Sequence, residues 1–103
     1  MARFDVYRNP SGSKTHPYLV VVQHELLEVL PTRVVVPLVR PDLLGRQPFT
    51  RLNPTCVVEG KAFIVLTQQL GAVSAATLKK PVASLATQGA ELIAALDVLF
   101  SGV

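Results

Sequence analysis

Few side chains in this sequence are equipped for chemistry, and none stands in a pattern that a known reaction needs. His16 lies in a turn-rich stretch before Pro17, and His24 follows an apolar run. Two histidines without a clustered set of carboxylates and thiols carry no metal signature. Both read as solvated loop residues. Glu25 and Glu28 could serve as a carboxylate pair, but they flank Leu26-Leu27 and read as charges that keep an exposed turn soluble. The one cysteine, Cys56, sits in Thr55-Cys56-Val57-Val58, where a buried, inert thiol is expected rather than a nucleophile. Ser, His and Asp all occur, yet there is no nucleophile elbow and no Gly-rich phosphate loop. No recognisable enzyme class follows from this inventory, and neither a metal nor a cofactor is expected.

Charge points to a partner rather than to a reaction. Ten basic residues stand against seven acidic ones, a net charge of +3. Arg33, Arg40, Arg46 and Arg51 lie in the middle third, Lys79 and Lys80 later, while the last segment carries Glu91 and Asp97. A basic central face could meet phosphate or an acidic protein segment. Aromatics for stacking bases are not interleaved with it, so a protein partner or a solvated face is expected, without sequence-specific nucleic-acid binding.

The elements that must position these residues are mostly strands. Phe4 to Tyr7 alternates and then meets the turn signal Arg8-Asn9-Pro10-Ser11-Gly12-Ser13. Tyr18 to Gln23 is apolar and β-branched, as in a strand buried on both faces. Arg33 to Val36 follows, and Pro37 is expected to end it, because proline cannot donate to a ladder. Leu38 to Pro48 reads as loop. Thr55 to Val58 and Lys61 to Leu66, joined by Glu59-Gly60, predict a hairpin. Gln68 to Thr77 is neutral between short helix and loop. From an N-cap at Ser84 or Thr87, apolar residues recur at helical spacing to Phe100, with Gly89 costing that helix about 1 kcal/mol. The sum is one mainly β, α+β domain over residues 1–103, closed by a helix packed on a sheet. Its apolar runs are too short to span a bilayer, and the first residues lack a signal pattern, so a soluble cytoplasmic protein is expected.

Two features stand out from this plan. Leu26 and Leu27 are adjacent large aliphatics bracketed by charges, which a regular strand cannot bury together. One exposed or partner-covered leucine and a short helical turn packed on the core fit equally well. The apolar helix runs straight into Ser101-Gly102-Val103, which suits either a last turn in the core or a terminus used for contact.

Phe4-Asp5-Val6-Tyr7, Val22-Gln23, Arg33-Val34-Val35-Val36-Pro37-Leu38 and Leu99-Phe100-Ser101-Gly102-Val103, in this order and over this length, resemble the CcdB family of toxins. The resemblance implies an SH3-like barrel of antiparallel strands with a C-terminal helix, shared with MazF-type ribonuclease toxins. It further implies a homodimer, a non-enzymatic toxin of a type II toxin–antitoxin module in plasmid maintenance, binding to the DNA gyrase A subunit, and neutralisation by a CcdA-like antitoxin. Carried onto this chain, the gyrase surface would comprise Leu26, Leu27, Phe100, Ser101, Gly102 and Val103. The family's ending is Trp-Gly-Ile after Phe, and here the tryptophan position is Ser101, which removes an aromatic anchor.

Three functions fit: a homologue that dimerises and binds antitoxin but poisons gyrase weakly or not at all, a gyrase toxin whose contact surface of Leu26, Leu27, Phe100 and Val103 is matched to a different host enzyme, or a MazF-like endoribonuclease using Arg33, Arg51 and Glu25. A CcdB-fold homologue with a changed target is a further alternative. An acidic antitoxin segment folding onto the toxin would match the central arginines, so Arg8, Lys14, Arg40 and Arg46 are the expected antitoxin contacts. The C-terminal helices and the strand preceding Leu26 are the expected dimer neighbours.

Overall fold

The computed structural model describes residues 2–103 as one strongly bent antiparallel sheet of seven strands with a single helix at the end. The strands are β1 (Asp5–Arg8), β2 (Tyr18–Val21), β3 (Thr32–Val39), β4 (Thr55–Val58), β5 (Lys61–Val65), β6 (Gly71–Ser74) and β7 (Ala83–Ser84), and the helix is α1 (Gly89–Ser101). The order β4-β5-β3-β2-β1-β7 curls into a nearly closed barrel, with β6 paired to β3 beside this path. The segment entering α1 reaches both ends of this path, because Gln88 Nε2 donates to Thr55 O of β4 at 2.8 Å while Leu85, directly after β7, donates its N–H to Phe4 O beside β1. This is the expected SH3-like architecture.

Period-2 alternation fills the inside. Val6, Val20, Val36, Leu38, Val58, Phe63 and Val65 form the main core with Leu85 and Leu92 from the helical end. On the opposite face, Tyr7, Leu19, Val21 and Val35 pack with Leu78. All four residues of β2 are buried, as its β-branched sequence predicts. The hairpin β4–β5 is also as read, and its turn residues Glu59 and Gly60 are both left-handed, at φ 51° and 81°.

Three expectations need correction. Pro37 does not end its strand: β3 continues to Val39, with Pro37 opposite Leu19. Val22 N donates to Val34 O, so alternation along the ladder makes Leu19–Pro37 a non-hydrogen-bonded pair. The imino nitrogen of Pro37 therefore faces away from β2, into the handover where β3 leaves β6 and meets β5. No ladder bond is lost there. The ambiguous stretch 68–77 contains β6, an exposed four-residue strand whose small side chains give no β-periodicity.

The helix starts later than expected. Gln88 occupies the N-cap position without a side-chain capping bond, and Ser84 Oγ accepts instead from Ala86 N of a preceding 3₁₀ turn. Gly89 stands in the first turn of α1, as expected, and its packing supplies a reason for the glycine that the sequence did not show. Phe4 is buried and held at φ 71°, and its ring lies where a Cβ on Gly89 would fall, 2.9 Å from Phe4 Cε2. A glycine that weakens an isolated helix here lets α1 approach the first strand.

Candidate functional site

The segment between β2 and β3 builds one wall of the site. His24 Nδ1 accepts from Leu26 N at 3.1 Å and so starts a 3₁₀ turn over Glu25–Leu27. Such a turn has no room to bury adjacent side chains on a core, and both leucines face outward: Leu26 is 84% exposed and Leu27 47%. Val29 at 87% and Leu30 at 44% continue the apolar surface. The sequence reading singled out the first pair and missed the second. Its signal was the repetition of apolar residues three apart, 26 with 29 and 27 with 30.

The second wall is the end of α1. Gly102 caps the helix in the left-handed conformation, φ 76°, and its N–H donates to Val98 O at 3.0 Å. Glycine is the residue that takes this position without strain. The cap turns Val103 outward. Phe100 and Val103 are each 71% exposed, and Ser101 is exposed beside them. Leu27 and Phe100, distant in sequence, line one groove of about 500 Å³ whose floor is Val22, Val34, Leu70 and Leu96. Exposed apolar side chains converging on one groove are the mark of a contact surface on a small domain.

The arginine candidates separate. Arg33 is not on a basic face: it is buried, and its guanidinium donates to the carbonyls of Leu30 at 2.6 Å, Thr32 at 2.9 Å and Glu28 at 3.0 Å. This also withdraws it from a ribonuclease site, since the guanidinium is buried with three N–H bonds to backbone carbonyls and its Nε enclosed without a partner. Arg8, Lys14, Arg40 and Arg46 are exposed. Arg8 pairs with Glu59 at 3.4 Å, and Tyr18 donates its hydroxyl to the same carboxylate, which raises the Tyr18 pKa together with its burial. Arg40 binds both oxygens of Asp42. Arg46 lies 4.9 Å over the ring of Phe49, itself 63% exposed. The turn bearing Thr15 and His16, next to Lys14, faces Leu43, Leu44 and Arg46 across a second groove of about 370 Å³. Both loops expected to carry antitoxin contacts thus border one surface, with Arg8 at its own position by the hairpin.

His16 is partly buried with Nδ1 2.8 Å from Thr15 Oγ1, while His24 acts as a cap. Cys56 is buried as expected, and desolvation, with the nearby Glu91 charge adding to it, pushes its thiol up to about 12. A thiol so protonated is a poor nucleophile. Among the described residues, no group of three or more His, Cys, Asp or Glu could hold a metal ion, and no helix is long and apolar enough to cross a membrane.

A search of curated proteins finds no match. A family model described as CcdB protein matches residues 3–102, a span that contains every strand, the whole of α1 and both walls of the groove. With nearly the full length matched and the barrel and terminal helix in place, this chain belongs to the CcdB family of toxins.

Proposed function

We propose that this protein is the toxin of a type II toxin–antitoxin module that acts by binding the DNA gyrase A subunit, without catalysis of its own, as a cytoplasmic homodimer. The observation that carries the reading is the convergence of Leu27 and Phe100 on one apolar groove. Leu26, Leu27, Phe100, Ser101, Gly102 and Val103 form the gyrase contact, with Gly102 acting through the cap that directs Val103. A CcdA-like antitoxin binds the loops carrying Arg8, Lys14, Arg40 and Arg46. Ser101 weakens poisoning, because an aromatic anchor at the centre of an interface contributes about 2 kcal/mol that a hydroxyl cannot replace.

Purified protein and its Ser101→Trp variant, assayed for trapped gyrase–DNA cleavage complexes, test this. The expected result is weak trapping by the native chain and trapping at lower concentration by the variant. Absence of trapping and of gyrase A binding by both would overturn the reading and leave a changed target.

A further inference from the structure

The buried guanidinium of Arg33 has no role in the contact surface described so far, yet it is bonded to the backbone of the turn that presents it. Its three carbonyl partners, Glu28, Leu30 and Thr32, lie in or just after the stretch that exposes Leu26, Leu27, Val29 and Leu30. Gln23 works from the other side: its Nε2 donates to Leu27 O and Thr32 O, each at 3.2 Å, and its Oε1 accepts from Val34 N at 3.0 Å. Backbone bonds take His24 O, Glu25 O and Pro31 O. Carbonyls at 24, 25, 27, 28, 30, 31 and 32 are therefore all engaged, which restrains a connection of a kind that is ordinarily mobile.

Holding four aliphatic side chains in water opposes the hydrophobic effect, and burying a cation to do so adds a desolvation cost. A mere connector between β2 and β3 would need neither. Rigid presentation, by contrast, removes the ordering cost of a loop at the moment of binding. We infer that Arg33 is a positioning residue for target recognition: with Gln23 it fixes the 24–31 turn as a preformed apolar platform, and Val29 and Leu30 belong to the contact with the gyrase A subunit. This rests on the functional reading above, and it supplies apolar area beside a terminus that carries serine.

The test combines gyrase A affinity with amide hydrogen exchange for the native protein, Arg33→Met, Arg33→Lys and Val29→Ser. In Arg33→Met, exchange is expected to accelerate over residues 24–31 but not in β2 or β3, and affinity to fall about tenfold. Arg33→Lys, which keeps charge and some donors, regains part of both. Val29→Ser, an exposed change that cannot unfold the barrel, keeps native protection and lowers affinity several-fold. The inference is overturned if Arg33→Met loosens the turn without loss of affinity. It is equally overturned if exchange rises across the whole sheet while Arg33→Lys and Val29→Ser bind as the native protein does. A native protein that does not bind gyrase A overturns the functional reading itself, and the exchange profiles identify that case by showing the turn ordered and the partner wrong.

Discussion

At the scale of single residues, the most constrained position is the meeting of Phe4 and Gly89. A methyl group at residue 89 would press on the Phe4 ring, and Phe4 cannot swing away freely because its N–H is bonded to Val21 O and its carbonyl to Leu85 N. Gly89→Ala should therefore destabilise the fold by about 1–3 kcal/mol, the usual cost of overpacking, despite alanine's better helix propensity. Chemical denaturation measures this, and a gain in stability would refute the packing account. Cys56 gives a prediction in pH. Its thiol ionises near its ordinary 9.0 when unfolded and at about 12 when folded, so above pH 9 the unfolded state holds fewer protons than the native one. Stability from this group is full below pH 9 and is lost as pH rises toward 12, by up to about 1.4 kcal/mol per pH unit. Comparing alkaline denaturation of the native protein with Cys56→Ala isolates the effect from Tyr7 and Tyr18, whose pKa values are also raised. The variant should show the shallower decline.

At the scale of elements, the helix end and the 24–31 turn act through backbone geometry. Gly102→Ala places a side chain at φ 76° and should cost about 1 kcal/mol by fraying the last turn of α1. Loss of order at Phe100 and Val103 would follow, and gyrase A affinity should fall by more than the stability change alone implies. Titration calorimetry on the folded variant checks this, with unchanged affinity excluding a role for the terminus. The hairpin β4–β5 was legible because its turn residues are diagnostic. Strand β6 was not, since Gly71-Ala72-Val73-Ser74 shows neither alternation nor β-branching beyond one valine, and it is a strand only because β3 offers an edge. Pro37 misled for a related reason: sequence records the missing N–H but not the direction in which it would have pointed.

At the scale of the whole molecule, the proposed function assigns two surfaces to two partners. The apolar groove between the 24–31 turn and α1 shares no lining residue with the groove between the turn at Thr15-His16 and the loop at Leu43 to Arg46, to which Arg46 lends a cation. Charge reversal at Arg40 and Arg46 should weaken antitoxin binding about tenfold or more at low salt, with the deficit shrinking as salt screens the exposed charges. It should leave gyrase A affinity within about twofold, because rim charges elsewhere on a protein contribute little to an apolar contact. Affinity measurements for both partners across a salt series check this, and an antitoxin affinity that ignores the reversal removes these residues from the site. Sedimentation should find a dimer, and a monomer mass independent of concentration would exclude the expected interface along α1 and the end of β2.

What the amino-acid sequence determined alone was local: the apolar β-branched strands though not β6, where the hairpin turns, that an apolar helix runs to Phe100, and that Leu26-Leu27 fits no buried strand. These follow from periodicity, turn chemistry and β-propensity, which act over a few residues. The tertiary structure decided how those pieces meet. It brought Leu27 and Phe100 to one groove, withdrew Arg33 from the surface and bound it to the carbonyls of a turn, and made Gly89 a matter of clearance for Phe4. Each depends on contacts between segments far apart in the chain, and residue type sets only what a side chain can do, whereas burial and neighbours set what it does.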